Sequence, residues 1–93
     1  IPMQVARLSM QAMQVAKEMA AIGNPNSITD AGVGAMAIRT GVKGAILNAR
    51  VNLADLEDDG FASEVREECS QMWQKVERVE AEVLQRVDEV LGA

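Results

Sequence analysis

At 93 residues the chain holds at most one small domain, spanning 1–93, and its core is limited unless it associates with something else. A net charge of −5 argues against a surface that tracks nucleic-acid phosphates, and the absence of His beside a single cysteine, Cys69, argues against the usual nitrogen and sulfur metal cages. The most apolar run, from Ala31 to Leu47, is broken by Arg39 and Lys43 and falls short of the ~20 residues that cross a bilayer, so no membrane span is expected. The lone thiol suits a reduced, cytoplasmic setting.

The chain begins at Ile1 and enters a helical pattern at Pro2, with no basic segment followed by a short apolar block. It therefore reads as a piece of something longer, without a signal peptide. In the first helix Val5, Leu8, Ala12, Val15, Met19 and Ile22 recur at steps of three and four, which places them on one stripe and predicts that they are its buried face. Pro2 suits the first turn, where its missing N–H costs nothing. Gly23 is the expected stop, followed by a turn at Asn24-Pro25-Asn26.

A second helix is expected from Ser27 or Thr29, with Ser27 and Asp30 in a capping-box spacing, and runs to about Asn48 or Asn52. It is apolar nearly all round, which predicts a buried central helix. The segment Asn52 to Gly60 is too irregular for a calcium loop and reads as a connector that caps the third helix. That helix carries Phe61, Val65, Cys69, Met72, Val76, Val79, Val83, Val87 and Val90 along one seam and extends for ~45 Å at 1.5 Å per residue. The fold class is therefore all-α, a three-helix up-and-down bundle. Its third helix is half as long again as the first, so part of the seam should lie bare in a monomer, which favours self-association or a missing half.

Within the second helix, Asp30, Gly34, Ala37, Gly41, Gly44, Asn48 and Asn52 fall on one stripe. With Gly32, the glycines of this helix each cost ~1 kcal/mol relative to alanine, and something must offset them. Either another helix approaches the bare backbone closely, or a flat ligand lies along it, held by Asp30 at one end or by Asn48 and Asn52 at the other. Asp30 and Asn48 are ~27 Å apart on a straight helix, so one small molecule cannot touch both in one copy. An antiparallel partner would bring one copy's Asp30 near the other's Asn48.

Each candidate has a plainer role beside the chemical one. Asp30 serves as a general acid or base, or as a first-turn cap favoured by the helix dipole. Arg39 and Lys43, one turn apart, bind a carboxylate-bearing tail or form a solvated edge. Asn48 and Asn52 orient a ligand by amide bonds or end the helix. Cys69 falls on the apolar seam with no His to activate it and reads as core over nucleophile, and Trp73 beside that seam is expected to pack on another chain.

Gly23-Asn24-Pro25-Asn26 with Thr29-Asp30 and Val33, then Gly41-Val-Lys-Gly44-Ala45, Asn48, Val51-Asn52-Leu53, Asp58 and Phe61 together resemble the C-terminal half of the cyclodeaminase/cyclohydrolase family. These are the methenyltetrahydrofolate cyclohydrolases and the cyclodeaminase domain of formiminotransferase-cyclodeaminase. Thr29-Asp30 stands where the family carries Ser-Asp, and Asn48-Ala49 where it usually carries Asn-Val. The resemblance implies half of a larger helical-bundle domain that works as a dimer or larger assembly on a reduced folate, with no cofactor beyond that substrate. The chemistry implied is closure of a 5-formimino group to the 5,10-methenyl form with loss of ammonia, or opening of the methenyl bridge by water. Asp30, Asn48 and Asn52 are the expected substrate-binding residues, and no catalytic residue is assigned. The family's N-terminal half, with its Pro-Gly-Gly-Gly stretch and a later Asp-x-x-Ala-Phe segment, is absent from these residues. The alternative is a helical oligomerisation module without chemistry, whose glycine stripe is purely a seam.

Overall fold

The computed structural model describes residues 2–54 and 59–92. Its three helices are α1 (Pro2–Ile22), α2 (Pro25–Leu53) and α3 (Asp59–Leu91), and they form an all-α up-and-down bundle of 52 × 18 × 16 Å. The long dimension is set by α3, whose 33 residues span ~50 Å at 1.5 Å each. Among the described residues no helix is long and apolar enough to cross a membrane.

The first corner is tighter than the sequence reading expects. Gly23 adopts φ +73°, a left-handed conformation that glycine takes without Cβ strain, and its N–H donates to the Ala20 carbonyl at 3.1 Å. Only Gly23 and Asn24 separate the two helices. Asn24, not Ser27, is the N-cap of α2: its Oδ1 accepts from the Asn26 N–H at 2.9 Å, and Pro25 takes the first helical position. The Ser27 hydroxyl instead donates back to the Asn24 carbonyl at 3.3 Å, so no capping box forms with Asp30. At the other end α2 runs through Asn48 and Asn52 to Leu53, with Ala54 as its cap. The expected cap of α3 falls on residues 55–58, outside the described residues.

Ion pairs record the register. Arg7 meets Glu68 and Lys17 meets Glu82, so α1 and α3 run parallel; Arg39 meets Glu80 and Lys43 meets Glu77, so α2 runs against α3. Arg39 Nε lies 2.6 Å from Glu80 Oε2 but its N–H is not aligned for a hydrogen bond, which makes that contact Coulombic. The Arg7–Glu68 pair is two-pronged, with Nε donating to Oε1 at 2.7 Å and a terminal nitrogen donating to Oε2 at 3.0 Å. These hydrogen bonds, with the nearby positive charge, hold the Glu68 carboxyl below its ordinary value of 4.5. A depressed carboxylate contributes stability that is present above its unfolded pKa and lost as pH falls through the folded one. Glu68→Gln is therefore expected to lower stability modestly at pH 7, the pair being solvated, and by the same amount to flatten the acid limb below about pH 4.5, both read by urea unfolding at a series of pH values. An unchanged acid limb would remove this pair from the pH response.

Small side chains fill the core. Ala6, Ala16, Ala20, Ala31, Ala35, Ala45, Ala49 and Ala62 are buried, joined by Met13, Ile28, Val42, Ile46, Cys69, Met72, Val76, Val79 and Val83. Alanine at the contact lets helix axes approach closely, which a chain with one Phe and one Trp uses in place of bulk. This overturns the expected burial of α1. Its inward stripe is Met3, Ala6, Met10, Met13, Ala16 and Ala20, while Val5, Leu8, Val15, Met19 and Ile22 are exposed. Nor is α2 buried all round: Val33, Met36, Leu47 and Val51 face outward. The α3 seam follows the expected pattern, except that Phe61 is exposed and Ala62 takes the buried position. The surplus apolar surface thus lies largely on α1 and α2 instead of along the α3 seam.

Candidate functional site

The stripe from Asp30 to Asn52 lies on a single unbroken helix, α2, and faces away from the bundle interior. A Cβ built on Gly34, Gly41 or Gly44 would meet open space. Nothing among the described residues therefore occupies the room these glycines leave. Gly32 differs, because a Cβ there would meet Val87 at 3.1 Å and Leu84 at 3.6 Å. Of the α2 glycines it alone allows close packing on α3.

Apolar side chains flank the bare backbone. Val33 is 63% exposed and Val51 69% exposed, with Met36 and Leu47 between them. The polar ends, Asp30 on one side and Asn48 and Asn52 on the other, are exposed and make no side-chain hydrogen bond or ion pair among the described residues. Asp30 sits in the second turn, five residues after Pro25, so the first-turn cap reading does not hold for it. Asn48 lies inside the helix and does not end it. The structure thus places the expected binding residues on one open face without bringing Asp30 to the asparagines.

Other candidates are absorbed by the bundle. Arg39 and Lys43 are tied to α3 carboxylates, and the Lys43 ammonium lies 4.4 Å from the centroid of the Trp73 ring, a cation–π contact. Cys69 is buried and its thiol donates to the Met3 sulfur at 3.6 Å. Burial pushes the thiol above its ordinary value, with Glu68 adding to the rise and Arg50 and Arg7 opposing it. It is a core residue, not a nucleophile. Among the described residues no group of three or more His, Cys, Asp or Glu converges to hold a metal.

A second concavity was not anticipated. Arg50, Arg66, Cys69, Ser70, Trp73 and Gln74 line an open cavity of about 350 Å³ where the C-terminal part of α2 crosses α3. The sequence pattern singles out Cys69 and Trp73 but neither arginine. The antiparallel register that joins Arg39 to Glu80 carries Arg50 toward Arg66, which the separate helical patterns do not reveal.

The family profile described as Formiminotransferase-cyclodeaminase matches residues 1–71. Formimidoyltransferase-cyclodeaminase from Sus scrofa is 34% identical over 88 residues, which is 95% of this chain but 16% of that protein. The same-named protein of Dictyostelium discoideum is 31% identical over 92 residues, again 16% of its length. Methenyltetrahydrofolate cyclohydrolase from Methylorubrum extorquens is 36% identical over 64 residues, covering 69% of this chain and 31% of that enzyme. No solved structure matches significantly. The chain spans less than a third of the length of each of these relatives. Both the extent of the profile match and the agreement of these relatives place the chain in the formiminotransferase-cyclodeaminase family.

Proposed function

We propose that this chain supplies part of a cytoplasmic helical domain that processes reduced folates, as a tetrahydrofolate cyclodeaminase or a methenyltetrahydrofolate cyclohydrolase, and that the open α2 stripe is one wall of its substrate site. The observation that carries this reading is the vacant room over Gly34, Gly41 and Gly44, bounded by polar groups whose hydrogen-bonding capacity is unspent. A flat ring stacked on bare helix backbone would keep van der Waals contact along its face while a carboxylate or an amide grips its rim. Both reactions move protons about a carbon held between two nitrogens, which calls for a fixed acceptor and orienting amides. Asp30, Asn48 and Asn52 provide these types, with orientation as their role.

The opposite wall comes from a second copy or from the rest of a larger domain. Two α2 helices crossing antiparallel at Gly41 would set Asp30 of one beside Asn52 of the other, since Gly41 is midway between them in sequence. Isothermal titration with a reduced folate and molar mass by light scattering test the proposal together. Saturable binding that is lost in Asp30→Ala is expected, as is loss of association in Gly41→Leu, whose side chain blocks close approach. A stable oligomer that binds no folate would sink the site reading. It would favour the second reading, a pure interaction module, for which the observation is the exposed row Val5, Leu8, Val15, Met19 and Ile22 on α1.

A further inference from the structure

We infer that the cavity between the C-terminal part of α2 and α3 binds a small aromatic carboxylate, with Arg50 and Arg66 gripping the anion and Trp73 forming the apolar wall. This site is separate from the glycine stripe and does not depend on the folate reading.

The chain carries an excess of acid, with 14 carboxylate side chains against 9 cations. Arg7, Lys17, Arg39, Lys43 and Arg86 each lie against a glutamate. Three of the six arginines are thus paired with a carboxylate. Among the described residues Arg50, Arg66, Lys75 and Arg78 have no such partner, and two of the three arginines of this set line the same cavity.

The lining around them is chemically mixed. Ser70 and Gln74 add a hydroxyl and an amide, while Cys69 and Trp73 supply apolar surface. The volume of about 350 Å³ lies at the small end of sites that hold organic ligands. Arginine is suited to this task because its planar fork pairs with both oxygens of a carboxylate and resists full hydration. A flat ring attached to that carboxylate would lie against Trp73, whose ring is already engaged by Lys43. No carboxylate side chain lines the cavity among the described residues.

Trp73 is the sole tryptophan and the chain has no tyrosine, so its fluorescence reports on this wall alone. Titration of the 93-residue chain with isophthalate is expected to change that emission saturably at millimolar concentration or below, and benzamide, which keeps the ring but not the charge, is expected to leave it unchanged. In the double variant Arg50→Met/Arg66→Met, shown by circular dichroism to keep its helices, the apparent affinity should fall about tenfold or more. Arg66→Lys, which keeps the charge without the fork, should fall between the two proteins. An equal response in the double variant, an equal response to benzamide, or no saturation below about 10 mM would overturn the site. Inorganic phosphate binding as well as isophthalate would overturn the aromatic part of the assignment.

Discussion

The triple variant Gly34→Ala/Gly41→Ala/Gly44→Ala is expected to raise the unfolding free energy of the separate chain by roughly 3 kcal/mol, about 1 kcal/mol for each glycine replaced in a helix interior. The sign follows from the open space at these positions, where a new methyl group meets no neighbour and only the helix-forming tendency changes. Urea unfolding at concentrations where light scattering gives a monomer measures it. The same three methyl groups fill the groove, so association or ligand binding on that face should weaken as stability rises. Stability that stays flat or falls in a verified monomer would mean that something already touches the α2 backbone. A gain in stability paired with a loss of binding would show that the glycines are held for function at a cost to the fold.

Met13→Ala is expected to destabilise by about 2–5 kcal/mol, whereas Val15→Ala should change stability of the separate chain by less than about 0.5 kcal/mol. Met13 is 1% exposed and Val15 is 55% exposed, two residues apart on the same helix. Deleting a buried thioether chain removes its transfer free energy and leaves a cavity among Ala6, Ala16 and their neighbours. A domain of this size has a total stability of only about 5–15 kcal/mol, so the first change would be visible as a large drop in the urea midpoint. Equal losses at the two positions in a monomer would contradict the orientation of α1. Equal losses confined to an oligomer would identify the outer stripe as an interface.

That orientation is where the sequence is least legible. The α1 sequence carries two stripes at helical spacing, one of Met and Ala and one of Val, Leu and Ile, and periodicity alone ranks the bulkier stripe first. The bundle selects the smaller one because alanine permits closer helix axes, a gain that depends on the partner helix and not on the local pattern. In α3 the valine seam has no rival, so its face is readable from spacing, with only Phe61 at the end departing. The stop at Gly23 is readable because few other residues tolerate its φ. The α2 start is not, since Asn24 and Ser27 are both competent caps and Pro25 at the first helical position decides between them. For the site, the stripe and its polar ends are visible as a pattern, and their exposure is consistent with a binding face. The Arg50–Arg66 cavity lies across two helices and depends on their register, which no single-helix pattern encodes.

The small corner at Gly23 also depends on a residue far along the chain. Arg86 Nε donates to the Ala20 carbonyl at 3.3 Å, and its guanidinium occupies the place where a Cβ on residue 23 would go. α1 has no basic residue in its own last turn, so α3 lends the positive charge that its C-terminus favours. The family profile ends at residue 71, whereas Glu77, Glu80, Glu82 and Arg86 all lie beyond it. The distal half of α3 therefore acts as a splint: it sets the angle between two helices whose outer surfaces are open, and changes in its length or sequence would retune the shape of that two-helix plate without touching a residue on it.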